Sequence, residues 1–267
     1  MSADKHFPRK RFGQNFLHDP LIIQRIIDSI NPQYEDHIIE IGPGMGALTR
    51  PLLEKVSHLD VIEIDRDLAS GLKEKLGKNQ NKITIHQQDA MKTDFSNFGF
   101  LKLRVIGNLP YNISTPLLFH LLKFSNLIHD MIFMLQKEVV DRICAESGSK
   151  QYGRLSVMLQ CYCSVQRLFT VKPGSFIPPP KVDSAIVKLT PYKEPKYELI
   201  NPESFSTIVR DAFSQRRKTI RNALKNYLSD EDFQVLKIAP EIRAEKLEIE
   251  NFVSIANLYD QCKNKTL

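Results

Sequence analysis

The sequence predicts an α/β fold, a parallel sheet with helices on both faces, followed by a small all-helical C-terminal domain. Three observations predict it. Short apolar runs alternate with helical patterns from His37 to Glu146, the order that builds a parallel sheet. The first run enters a glycine-rich turn, Gly42-Pro43-Gly44-Met45-Gly46, of the kind that lets backbone pass close to a ligand. Beyond a stretch rich in Pro, Lys and Tyr, from Thr190 to Leu199, only helical periodicity remains.

Residues 1–18 read as an arm in which Gly13-Gln14-Asn15-Phe16-Leu17 mixes amides with apolar anchors. Asp19-Pro20 starts a helix, with Asp as N-cap and Pro at the first helical position. Leu21, Ile22, Ile23, Ile26, Ile27 and Ile30 give that helix its apolar face. Strands follow at His37 to Ile41, Leu59 to Ile64, Lys82 to His86, Leu103 to Ile106 and Asp130 to Leu135. Helices are predicted from Ala47, over Arg66 to Leu76, over Pro116 to Phe124 with Ser114 or Thr115 as cap, and over Lys137 to Glu146. Ser156 to Gln166 reads as a helix running into a strand. The triple proline makes Ser175 to Lys181 a rigid loop, and Val182 to Leu189 alternates as a final strand. Asn201-Pro202 opens a helix with Phe205, Ile208, Val209, Ala212 and Phe213 on one face; further helices are predicted at Glu231 to Ile238 and Glu250 to Cys262. The domain boundaries expected are 1–18 for the arm, 19–190 for the α/β domain, 191–200 for a linker and 201–267 for the helical domain.

Composition narrows the function classes. The 42% hydrophobic and 25% charged content is ordinary for a globular protein. No apolar run approaches the roughly 18 residues of a membrane span. The basic, polar Met1 to Arg11 segment lacks the apolar core of a secretory signal, so a cytoplasmic location is expected. Cys144, Cys161, Cys163 and Cys262 form no Cys-x-x-Cys pair and read as buried thiols, and the histidines lack metal-ligand spacing. The net charge of +6 is concentrated. Val209 to Lys225 carries Arg210, Arg216, Arg217, Lys218, Arg221 and Lys225 against Asp211, and Met1 to Arg11 carries Lys5, Arg9, Lys10 and Arg11 against Asp4. Two local basic patches point to a polyanionic partner.

Ligands of parallel sheets bind at the C-terminal strand ends. Gly42 to Gly46, Glu63, Asp89 and Asn108 fall at four such ends. Gly42-x-Gly44-x-x-Ala47 with Glu63 about 20 residues on also satisfies a dinucleotide fingerprint, which keeps a nicotinamide dehydrogenase open. Asn108-Leu109-Pro110-Tyr111 favours another chemistry. It offers an amide oxygen, a carbonyl restrained by the following proline and an aromatic face, a grouping suited to holding and methylating an exocyclic amine on a flat base. For an S-adenosylmethionine donor, Glu63 would accept from the ribose hydroxyls and Asp89 from the adenine amine.

Taken together, the chain resembles the small-subunit ribosomal RNA adenine N6,N6-dimethyltransferase family over nearly its whole length. The resemblance is carried by Arg11-Phe12-Gly13-Gln14-Asn15-Phe16-Leu17, Glu40-Ile41-Gly42-Pro43-Gly44, Gln88-Asp89-Ala90 and Asn108-Leu109-Pro110-Tyr111-Asn112-Ile113-Ser114. Later motifs are Leu135-Gln136-Lys137-Glu138-Val139, Phe176-x-Pro178-Pro179-Pro180-Lys181-Val182-Asp183-Ser184-Ala185 and Phe213-x-Gln215-Arg216-Arg217-Lys218-Thr219-Ile220-Arg221-Asn222. It implies a Rossmann-like class I methyltransferase domain with a mostly parallel seven-stranded sheet. It implies dimethylation of the N6 amines of two adjacent adenosines near the 3' end of 16S RNA, with S-adenosyl-L-methionine as cofactor and no metal. Asn15, Leu17, Gly42, Gly44, Glu63, Asp89 and Asn108 are its cofactor contacts. Asn108, Leu109 and Tyr111 hold the target base, with Phe176 stacked on the other face. Arg216, Arg217, Lys218, Arg221, Lys181 and Arg154 are its RNA contacts. The partner implied is ribosomal RNA within an immature 30S particle, met by a monomer, with a role in subunit assembly. Large-subunit adenine methyltransferases that confer antibiotic resistance share a similar Asn-x-Pro-Tyr, and a binding-only assembly checkpoint is the rival from outside catalysis.

Overall fold

The computed structural model describes residues 15–265. Its first elements are β1 (Phe16–Leu17) and α1 (Pro20–Ile30). Asp19 caps α1, its carboxylate accepting from the backbone of Leu21 at 3.0 Å and Ile22 at 3.3 Å. Ile26, Ile27 and Ile30 bury the inner face of α1. Next come β2 (Ile38–Ile41), α2 (Thr49–Leu53), β3 (Leu59–Glu63), α3 (Arg66–Lys75) and β4 (Ile83–Gln87). Then follow β5 (Leu103–Asn108), α4 (Ser114–Leu122), β6 (Ile128–Gln136), α5 (Lys137–Ile143) and α6 (Arg154–Tyr162). The remaining elements are β7 (Cys163–Val171), β8 (Phe176–Ile177), β9 (Ser184–Pro191), α7 (Pro202–Ser214), α8 (Ile220–Ala223), α9 (Asp230–Leu236) and α10 (Ile249–Lys265).

Seven strands form one sheet in the order β4-β3-β2-β5-β6-β9-β7. From β4 to β6 neighbours run parallel, while β9 runs antiparallel to β6. Every residue of β2 is buried, as a strand covered on both faces requires. The chain leaves β2 for β3 and β4 on one side, then crosses back to β5 on the other. That reversal opens a crevice at the C-terminal ends of β2 and β5. The two strands approach so closely there that a Cβ on Gly107 would stand 2.4 Å from the Ile41 carbonyl oxygen. At the opposite end of the sheet, Arg104 grips Asp130 through two hydrogen bonds of 2.8 and 2.9 Å, and Asp36 through one of 2.6 Å.

Several local expectations are corrected. The helix predicted from Ala47 begins at Thr49, because Gly46 has φ of +83° and its N–H closes a turn onto the Pro43 carbonyl. Neither Ser114 nor Thr115 caps α4. Its N-cap is Ile113, and the Ser114 hydroxyl donates instead to the Tyr111 carbonyl at 3.1 Å. The segment read as a loop from Ser175 to Lys181 contains β8, which pairs antiparallel with β1 in the register Phe16↔Ile177 and Leu17↔Phe176. A bridge of two residues between segments so far apart leaves no local periodicity to read. β9 extends through Pro191, into the stretch read as linker.

The chain divides into two compact units, one holding the residues up to Val140 with Val165–Pro191, the other Asp141–Ser164 with Tyr192–Leu267. This division differs from the 19–190 boundary expected, because α6 packs with the C-terminal helices. Within the second unit the Tyr152 ring meets Phe213 edge-on, centroids 6.0 Å apart, and Phe213 meets Phe252 at 5.6 Å. The Gln160 amide donates to the Ile143 and Ala145 carbonyls, both at 2.8 Å. Of the four thiols expected to be buried, Cys161 and Cys163 are, Cys144 is half-buried and Cys262 is exposed; burial pushes Cys161 and Cys163 up to about 12, so neither is a nucleophile at neutral pH.

Candidate active site

The crevice is a cavity of roughly 220 Å³ lined from the ends of β2, β3, β4 and β5 and from β1. It brings together Asn15, Leu17, Gly42, Gly44, Glu63, Asp89, Asn108, Leu109 and Tyr111, nine positions singled out from sequence.

The glycine turn forms its floor. Gly42 and Gly44 have φ of +69° and +55°, conformations that L side chains rarely adopt. The Gly44 N–H donates to Glu63 Oε2 at 3.4 Å, and the Asp65 N–H donates to Glu63 Oε1 at 2.9 Å. These bonds aim a buried carboxylate at the turn. Burial raises the Glu63 carboxyl above its ordinary range, against the lowering effect of the two N–H donors. At the end of β4, Asp89 Oδ1 accepts from the Met91 N–H at 2.9 Å. Each oxygen of a carboxylate has two lone pairs, so both acids keep acceptor capacity for a ligand.

The opposite wall follows β5. The Leu109 N–H bonds to the Met134 carbonyl at 3.2 Å, which ties the Asn-Leu-Pro-Tyr segment to β6. Leu109 is buried and lines the cavity beside Asn108. Asn108 Nδ2 donates to the Asn15 carbonyl at 3.1 Å. The Tyr111 hydroxyl shares a 2.7 Å hydrogen bond with Ser184 Oγ at the start of β9. Burial raises the Tyr111 phenol, offset in part by Ser184, so it stays protonated at neutral pH.

One sequence expectation is not met here. Phe176 does not line the cavity: its ring is 2% exposed and packs into the core beside Leu17 and Ile26. The β1–β8 pairing draws it inward, and its outward neighbour is Ile177, 59% exposed. Lys181 is an exposed loop residue of the first unit. Arg154, the first residue of α6, Arg216, Arg217 and Lys218 between α7 and α8, and Arg221 in α8 are exposed in the second unit. Arg216 donates to the Lys150 carbonyl at 2.8 Å, and Arg221 pairs with Asp230 at 2.9 Å.

Glu40 was missed. It lies on β2 beneath the turn, 2% exposed, and accepts from the Thr49 hydroxyl at 2.7 Å. Burial raises its carboxyl to about 7, Thr49 lowers it, and nearby Glu63 adds to the rise. An acid inside the apolar run Ile38-Ile39-Glu40-Ile41 was the available signal. Phe16 and Ser184 also reach the site, through pairings that no local pattern announces.

The donor set suits S-adenosylmethionine. Acids stand at two strand ends, glycines floor the cavity, and among the described lining residues there is no Lys or Arg to meet a phosphate. That balance favours a cationic adenosine derivative over a pyrophosphate.

Comparison with known proteins agrees with this chemistry. Residues 5–261 match the family model described as ribosomal RNA adenine dimethylase. A Proteus mirabilis protein named ribosomal RNA small subunit methyltransferase A is 54% identical over 94% of this chain and 93% of its own length. Its Pseudomonas aeruginosa namesake is 52% identical over 95% of each. Among solved structures, a dimethyladenosine transferase from Plasmodium falciparum superposes with a TM-score of 0.80 and 29% identity, covering 92% of this chain and 98% of the other. A 23S rRNA methyltransferase superposes with a TM-score of 0.71 and 25% identity, over 92% and 100%.

Proposed function

This chain belongs to the ribosomal RNA adenine dimethylase family, and from that premise we propose that it transfers methyl groups from S-adenosyl-L-methionine to the N6 amines of two adjacent adenosines in small-subunit ribosomal RNA. One observation carries the reading. Asn108, Leu109 and Tyr111, at the end of β5, line the same cavity as the glycine turn, Glu63 and Asp89. A donor site and a base site are thereby head to head.

When bound, S-adenosylmethionine supplies an electrophilic methyl on a sulfonium. Glu63 would accept from the ribose hydroxyls, and Asp89 from the adenine amine. Gly42 and Gly44 let that ligand rest on bare backbone. On the base side Tyr111 offers a stacking face to an adenine that has left its helix, a contact worth roughly 1–3 kcal/mol. Asn108 Oδ1 and the Leu109 carbonyl accept the two N6–H bonds. They draw the nitrogen out of conjugation with the ring and aim its lone pair at the methyl. Transfer would form the N–C bond as the methyl's bond to sulfur breaks, leaving the spent donor a neutral thioether; the nitrogen would become cationic, and two acceptors already in place would stabilise that charge more than they stabilise the neutral amine. The methylated nitrogen would then give its extra proton to solvent at the mouth of the crevice.

The exposed Arg217 and Lys218, with Arg216 and Arg221, give the second unit a surface for phosphates. The immature small subunit is the substrate we propose, met by a single copy of the chain in the cytoplasm. The large-subunit reading has one structural neighbour in its favour, but the relatives near 50% identity carry small-subunit names. Mass mapping of both ribosomal RNAs, after incubation with immature small and large subunits, tests the proposal. Two adjacent dimethyladenosines in the small-subunit RNA are expected; methylation confined to large-subunit RNA, or none, overturns it.

A further inference from the structure

We propose that the Asn15 carbonyl is a positioning group for Asn108, so that docking of β1 against β8 sets which half of the catalytic amide faces the substrate amine. The inference rests on the role given to Asn108 above and adds the reason that amide is correctly turned.

A primary amide has one accepting end and one donating end. Only the accepting end can receive an N6–H. A half-turn about the last side-chain torsion would present the NH2 group instead, donor against donor. The two orientations occupy nearly the same volume, so packing alone discriminates poorly between them. The 3.1 Å bond from Asn108 Nδ2 to the Asn15 carbonyl discriminates strongly. It engages the donating end and leaves Oδ1 to accept.

That carbonyl is available only while β1 is docked. Three contacts dock it, all within the first unit. β1 pairs with β8 through Phe16↔Ile177 and Leu17↔Phe176. The His18 N–H donates to the Ser175 carbonyl at 3.0 Å, and the Ser175 hydroxyl donates to Asp19 Oδ2 at 3.0 Å. The Phe16 ring lies over the glycine turn, where a Cβ on Gly44 would come within 3.2 Å of it. A ligand on that turn and the amide on β5 therefore sense the same short strand. Donor binding that steadies β1 also orients the acceptor for the other substrate.

The contact also accounts for the residue type. Toward an amine alone, a carboxylate at position 108 would be at least as good an acceptor. Against the Asn15 carbonyl it sets acceptor against acceptor. Asn108→Asp separates the two demands. With Phe16 replaced by 4-fluorophenylalanine, fluorine NMR of the full-length chain reports whether the ring sits on the turn, and methyl transfer to immature small subunits at saturating donor gives kcat. In Asn108→Asp the fluorine resonance should move to its solvent-exposed position and kcat should fall by about tenfold or more. Full turnover, or lost turnover with the ring still docked, overturns the coupling. The second of those leaves the active-site reading standing; that reading fails instead if Asn108→Ala is fully active. A second variant leaves Asn108 intact. An ester in place of the Asn15–Phe16 amide, made with phenyllactic acid at position 16, weakens the same carbonyl as an acceptor. It should lower kcat severalfold at saturating donor, and an unchanged kcat sinks the proposal.

Discussion

Gly107→Ala perturbs the point where β5 lies against β2. The Cβ it adds would stand 2.4 Å from the Ile41 carbonyl oxygen, 3.3 Å from the Ile41 carbonyl carbon and 3.2 Å from a Leu109 methyl. Ordinary contact begins at 3.4 Å, so the backbone of one strand must yield by about 1 Å. No flexible side-chain end can absorb the overlap with the oxygen, because the atom it meets is backbone. Overpacking of this kind costs about 1–3 kcal/mol. The larger effect is on turnover: Ile41 leads into Gly42 and Gly107 into Asn108, so the shift separates the donor floor from the base acceptors. A displacement of about 1 Å at a reacting centre costs about a hundredfold in rate. Thermal unfolding and a tritiated-methyl assay on immature small subunits read the two effects. Gly71→Ala is the control, since nothing lies within 4 Å of the Cβ it adds to α3; it should gain about 0.5–1 kcal/mol from the helix preference for Ala. A Gly107→Ala protein that melts with the parent and turns over within twofold of it would refute the reasoning.

The other predictions concern single groups. Asn108→Ala and Tyr111→Ala should hold the donor within a few-fold by calorimetry while losing most turnover; retained activity would remove those roles. Glu63→Ala should weaken donor binding, and parental affinity would take it out of the site. Glu40, raised by burial to about 7 in the fold from 4.5, binds its proton more tightly folded than unfolded. Stability should therefore fall as pH rises between those values, by up to about 3 kcal/mol. Glu40→Gln should abolish that slope in denaturant melts at pH 5 and pH 8, and an identical slope in both proteins would clear Glu40. Replacing Arg216, Arg217 and Lys218 with Ala should weaken RNA binding and flatten its dependence on salt by up to about three logarithmic units per decade. An unaltered slope would mean these side chains meet no phosphate.

The sequence by itself determined the sheet's class and the chemistry at its edge. Both are local properties. Alternation of apolar runs with helical periodicity is written into neighbouring residues, and so are a glycine turn after a strand and a proline that restrains Leu109. Because a parallel sheet gathers its strand ends on one side, naming residues at those ends was enough to bring Gly42, Glu63, Asp89 and Asn108 to a single cavity. Tertiary structure decided what depends on partners remote in the chain. Phe176 was turned into the core by a two-residue bridge with Leu17, and Ser184 was brought to the Tyr111 hydroxyl by the antiparallel return of β9. The donating end of Asn108 was assigned by a carbonyl 93 residues earlier. Such contacts rest on one or two hydrogen bonds each and impose no periodicity on either segment, so they exist only once the chain has folded.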